Sequence, residues 1–69
     1  MEEIIKKLET YNWNEESTIR ILLNSDNKSL LKEFLPLFRK YTNAIIINYQ
    51  EGLKSAAMVS IGTYTISIS

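Results

Sequence analysis

The chain is 69 residues long, balances eight lysines and arginines against eight aspartates and glutamates, and contains neither cysteine nor histidine. Without those two residue types it loses disulfides, the commonest metal ligand, the commonest general base and the most reactive nucleophile, and with no net charge it lacks the basic field that draws nucleic acids or membrane surfaces. A chain this short buries only about 60% of the surface its unfolded form exposes, so good packing or self-association is left to supply stability.

Residues 2–11 place Ile4, Ile5, Leu8 and Tyr11 on one stripe, with Glu2 and Glu3 in the first turn where the helix dipole favours acids; this predicts a first amphipathic helix. Asn14 followed by Glu15 and Glu16 has the form of a helix cap, so residues 14–23 read as a second helix. The stretch Thr18-Ile19-Arg20-Ile21-Leu22-Leu23 contains β-branched residues and also fits a strand, and the cap decides for helix. Asn24-Ser25-Asp26-Asn27 reads as a loop closing on a cap, because these short side chains bond to nearby backbone. Leu30, Phe34, Leu37, Phe38 and Tyr41 then recur at i, i+4, i+7, i+8 and i+11, widened by Leu31 and Leu35, which predicts a third helix ending near Asn43 as a left-handed cap. Pro36 removes a backbone hydrogen bond inside this stripe and should kink or split the helix near Leu35.

After Asn43 the hydrophobic period falls to 2. Gln50-Glu51-Gly52 fits a three-residue hairpin loop, setting Tyr49 opposite Leu53, Ile47 opposite Ser55 and Ile45 opposite Ala57. Gly62-Thr63 fits a type II′ turn, setting Ile61 opposite Tyr64, Val59 opposite Ile66 and Ala57 opposite Ile68. The two registers gather the large apolar residues on one face and leave Asn48, Lys54, Ser60, Thr65, Ser67 and Ser69 on the other. A helix through residues 50–60 is the competing reading, since Leu53, Ala56, Ala57 and Ser60 also have helical spacing. The fold expected is therefore a single α+β domain over residues 1–69, with three N-terminal helices packed on a C-terminal three-stranded antiparallel meander.

No apolar run approaches the roughly 20 residues that span a bilayer, and the opening residues lack the order of a signal peptide, so a cytoplasmic protein without membrane contact is expected. Glu2/Glu3 and Glu15/Glu16 are adjacent pairs that do not face one another on a helix, the seven serines have no base to activate them, and the only glycines each have a turn to make; the expectation is a protein that is not an enzyme and holds no cofactor or metal.

What remains is binding. On the outer sheet face Ile46, Ala56 and Met58 would be neighbours, the last strand would offer an open edge, and Trp13 is either a core plug or an anchor; these features point to a module that binds another protein, a small phage-type or bacterial inhibitor or regulator, through Trp13, Ile46 and Met58. Abundant Ile and Asn with arginine only at Arg20 and Arg39 fit the A/T-rich coding of such a source. Two alternatives stand beside it. Helix, helix, helix, hairpin is also the order of a winged helix, which would bind DNA through Lys28, Lys32, Arg39 and Lys40, although the neutral charge and the cation-free loop Gln50-Glu51-Gly52 speak against it. A homo-oligomeric structural subunit is the other, given the small core.

Overall fold

The computed structural model describes residues 2–68. In chain order these form helix α1 (Glu2–Thr10), strand β1 (Ile19–Leu23), a 3₁₀ turn (Ser25–Leu30) running into helix α2 (Leu31–Phe38), and strands β2 (Ile45–Tyr49), β3 (Ala57–Ile61) and β4 (Tyr64–Ile68). The four strands make one mixed sheet in the order β2-β1-β3-β4, with β1 and β2 parallel and the other two pairs antiparallel. The class is α+β, with two α-helices rather than three and a four-stranded mixed sheet in place of the three-stranded meander.

The second expected helix is the first correction. Asn14 does act as a cap, but for a tight turn: its side-chain oxygen accepts from the Glu16 amide at 2.8 Å, its carbonyl accepts from the Ser17 amide at 3.1 Å, and Ser17 Oγ accepts from the Asn14 amide at 2.9 Å. With the cap consumed in a turn, the β-branched run beyond it extends as β1, whose buried residues Ile19, Ile21 and Leu23 alternate with Arg20 and Leu22.

β1 also displaces the expected first hairpin. It takes the central place between β2 and β3, with Ile19, Ile21 and Leu23 beside Ile45, Ile47 and Tyr49 on one flank and beside Ile61, Val59 and Ala57 on the other. In the meander Ile47 would have faced Ser55; here it lies beside Ile21. Parallel strands need a long crossover, and the 3₁₀ turn with α2 provides it. Gln50-Glu51-Gly52 makes a turn with Gly52 at φ 76°, yet leads into a loop rather than a return strand. The helical alternative for residues 50–60 is absent too, since residues 57–60 lie in β3.

The second hairpin stands as expected: Ile61 pairs with Tyr64, Val59 with Ile66 and Ala57 with Ile68. Gly62 has φ 63°, and since no residue other than glycine takes a positive φ among the described residues, Thr63 completes a type II′ turn. Ser69, expected on the polar face of this strand, lies outside the described residues.

Gly62 is under a second constraint, because a Cβ there would stand 2.9 Å from Tyr11 Oη and 3.0 Å from its ring, whereas a Cβ at Gly52 would meet nothing within 4 Å. Gly52→Ala is expected to cost only the left-handed penalty of about 1–2 kcal/mol, and Gly62→Ala more than that by urea unfolding; equal losses would show that Tyr11 yields freely.

Along the third expected helix the apolar stripe is correct and the break is elsewhere. Phe34 and Phe38 are fully buried and stacked at 5.4 Å between ring centroids, with Leu30, Leu31, Leu37 and Tyr41 packed around the core. The change of winding falls between Leu30 and Leu31 rather than near Leu35, and the only non-helical dihedrals inside the 3₁₀ segment are at Asn27 (φ −108°, ψ 22°). Pro36 sits inside α2 on its exposed side, so the Lys32 carbonyl it deprives of a partner is on the solvent side, where water can satisfy it. The helix ends at Phe38, and Asn43 does not adopt a left-handed conformation.

Both helices pack on the same face of the sheet. Ile4 and Leu8 from α1, Phe34 and Phe38 from α2, and Ile19, Ile21, Leu23, Ala57, Val59, Ile61 and Ile66 from the strands form one buried cluster. The result has two layers, and among the described residues no helix lies on the second face of the sheet.

Candidate functional site: the uncovered sheet face

Strand pleating sends the residues between the core positions to the opposite face, and the pairing sets them in two rows. One runs Ile46, Arg20, Ser60, Thr65 and the other Asn48, Leu22, Met58, Ser67 from β2 to β4. Leu22 and Met58 are paired neighbours, both half-buried, at the centre of the face. Ile46 stands 44% exposed on the edge strand. Arg20 is the single charged residue among the eight, and Ser60 and Thr65 satisfy each other through their hydroxyls at 3.0 Å.

Two of the three residues singled out for protein binding thus lie on this face, although not as the direct neighbours expected. With β1 between them, Ile46 and Met58 are two strands and one row apart, roughly 12 Å. Ala56 is outside the strands, where its carbonyl accepts from Asn27 Nδ2 at 3.2 Å. Leu22, hidden at sequence level inside the misread helix, takes the place beside Met58 that Ala56 was expected to hold. The alternation Ile19, Ile21, Leu23 was the signal that could have found it.

Trp13 is elsewhere and is structurally engaged. Its indole N–H donates to the Leu8 carbonyl at 2.8 Å, one of the last carbonyls of α1 left without a helical partner. The ring lies edge-on to Tyr11 at 4.8 Å and tilted against Tyr41 at 5.6 Å, joining the end of α1 to the turn after α2.

The four cations of the DNA-binding alternative do not form one patch. Lys28 lies in the 3₁₀ turn with its ammonium 5.3 Å from the centre of the Tyr49 ring, Lys32 is exposed near the start of α2, and Arg39 and Lys40 follow its end, about 10 Å further along the axis. The three-helix arrangement that suggested a winged helix is absent.

A shallow groove of about 340 Å³ opens between α1 and β4, lined by Glu3, Lys6, Lys7, Thr10 and Tyr64. Here the Tyr64 hydroxyl donates to Glu3 Oε1 at 3.0 Å and the Lys7 ammonium sits 4.7 Å from the ring centre. The hydrogen bond to Glu3, and then its negative charge, hold the Tyr64 hydroxyl above the ordinary tyrosine pKa. The carboxylate of this groove is therefore already bound by a neighbour. Among the described residues no three acidic side chains gather as a metal site would require, and no helix is long and apolar enough to cross a membrane.

No family model matches this chain, and no curated protein or solved structure is significantly similar to it.

Proposed function

We propose that this protein is a non-catalytic binding module whose working surface is the uncovered sheet face, and that it acts by occupying a surface of a larger protein. The observation that carries the reading is Ile46, 44% exposed at the margin of a face whose centre is Leu22 and Met58. A small two-layer domain gains stability by covering such residues, and here Ile46 is exposed and Leu22 and Met58 are only half-buried, while every apolar side chain of the sheet's central strands that faces the helices is buried. Met58 is a side-chain type that can adapt its shape to a partner, and Arg20 supplies one cation among otherwise neutral side chains. The partner that fits presents an aliphatic or aromatic side chain over Leu22 and Met58, with a carboxylate or carbonyl beside it for Arg20.

Ile46→Asp combined with Met58→Lys should lower affinity for any protein captured by the wild type by at least about tenfold, roughly 1.4 kcal/mol. Lys32→Glu with Arg39→Glu, on the helical side, should leave it unchanged. Undiminished capture by the first variant would refute this assignment.

A further inference from the structure

We infer that the chain forms a two-fold symmetric dimer in which β2 pairs antiparallel with β2 of a second copy, joining two four-stranded sheets into one of eight strands. β2 is an edge strand, and residues 41–50 contain no charge and no proline; the Lys28 ammonium, from the 3₁₀ turn, lies 5.3 Å from the centre of the Tyr49 ring and leaves the outward peptide groups of the strand without a charge of their own.

The hydrogen-bond phase of this edge follows from its two ends. The Ile19 amide donates to the Ala44 carbonyl at 2.9 Å and the Gln50 amide to the Leu23 carbonyl at 3.0 Å. With Ile19 beside Ile45 and Leu23 beside Tyr49, the even-numbered peptide groups of β2 are directed at β1 and those of Ile45, Ile47 and Tyr49 outward. The Ile45 amide turns back to the Asn43 carbonyl at 3.1 Å, which leaves both groups of Ile47 and of Tyr49 open. A two-fold axis beside Ile47 sets it against its own copy, where both its outward groups are paired, and sets Ile45 against Tyr49, where the outward Tyr49 amide meets the Ile45 carbonyl of the other copy. Side chains agree with this register. On the helical side Ile47 meets Ile47 and Ile45 meets Tyr49, on the uncovered side Ile46 meets Asn48, and no like charges oppose.

The other edge offers less. On β4 the core-side residue Ile66 is already only 3% exposed, and the Tyr64 hydroxyl is hydrogen-bonded to Glu3. At β2, Ile45 and Ile47 are half-buried and Tyr49 is 49% exposed, so a second copy extends the core past the edge. A second copy also carries the same neutral, apolar strand in the matching phase. Dimerisation does not depend on what the uncovered face binds; it doubles that face into one surface.

Sedimentation equilibrium over roughly three decades of concentration should show mass rising from 8.0 kDa towards twice that value. Over the same range the Ile47 and Tyr49 amides should gain protection from hydrogen exchange, while the Asn48 amide, directed at β1, should be protected throughout. A synthetic chain N-methylated at Ile47 keeps its side chains and loses the central outward donors; Tyr49→Pro removes the outer ones without emptying a core position. Either variant, with wild-type circular dichroism, should stay at 8.0 kDa. Monomer mass at every concentration in the wild type overturns the inference, as does a dimer that persists in the folded variants or forms without protection at Ile47.

Discussion

Phe38→Ala is expected to leave the chain largely unfolded at room temperature. Phe38 has no solvent exposure and stacks on Phe34 one helical turn earlier, and the two rings anchor α2 to the sheet. Truncating a buried phenylalanine costs about 3–5 kcal/mol through lost transfer energy and the cavity left behind. A 69-residue domain has about 3–10 kcal/mol of stability in total, so the loss is comparable with the whole. α2 is also the crossover that sets β2 parallel to β1, and losing its anchor should release β2 with it. Circular dichroism during urea unfolding is the check, with Phe38→Leu as the milder companion at under about 1.5 kcal/mol. A loss below about 1 kcal/mol for the alanine variant would mean that the helix packs through other residues.

Trp13→Ala should also be damaging, and should act on stability rather than on recognition. The ring bridges Tyr11 and Tyr41, and its N–H closes the Leu8 carbonyl at the end of α1. Because the residue is only half-buried, about 2–3 kcal/mol is expected instead of the full value for a buried tryptophan. Trp13→Phe keeps most of the ring contact and loses the hydrogen bond, about 1 kcal/mol. Partner capture by Trp13→Phe should equal that of the wild type. A variant that unfolds normally but loses its partner would make Trp13 an anchor, as one sequence-level reading allowed.

The elements that could be read from the sequence are those whose determinants are local. The β3–β4 hairpin has its turn residue, Gly62, and both its alternating strands within about a dozen positions, and its register was legible throughout. The stripe of α2 was equally plain, since Phe34 and Phe38 repeat within the helix itself. β2 was visible as a strand, but its partner is 26 residues away and parallel, and no turn signals such a pairing. Gln50-Glu51-Gly52 supplied a misleading local signal; its glycine does take the left-handed conformation, in a loop. β1 was lost because Asn14, Glu15 and Glu16 imitate a helix start, and the competing turn depends on Ser17, whose side chain closes back on the Asn14 amide. The uncovered face was legible in Ile46 and Met58 and incomplete without Leu22, which belongs to that misread segment.

The most direct test of the uncovered face as the working surface is photo-crosslinking in the cells from which the chain comes, with a benzophenone amino acid placed at Ile46 in one version and at Lys32 in another. Irradiation should join the Ile46 version to a second protein, giving a product distinct from a self-adduct of twice 8.0 kDa, and should give no such product from Lys32 on the helical side. A heterologous product from Lys32 with none from Ile46 would contradict the assignment and move the binding surface to α2.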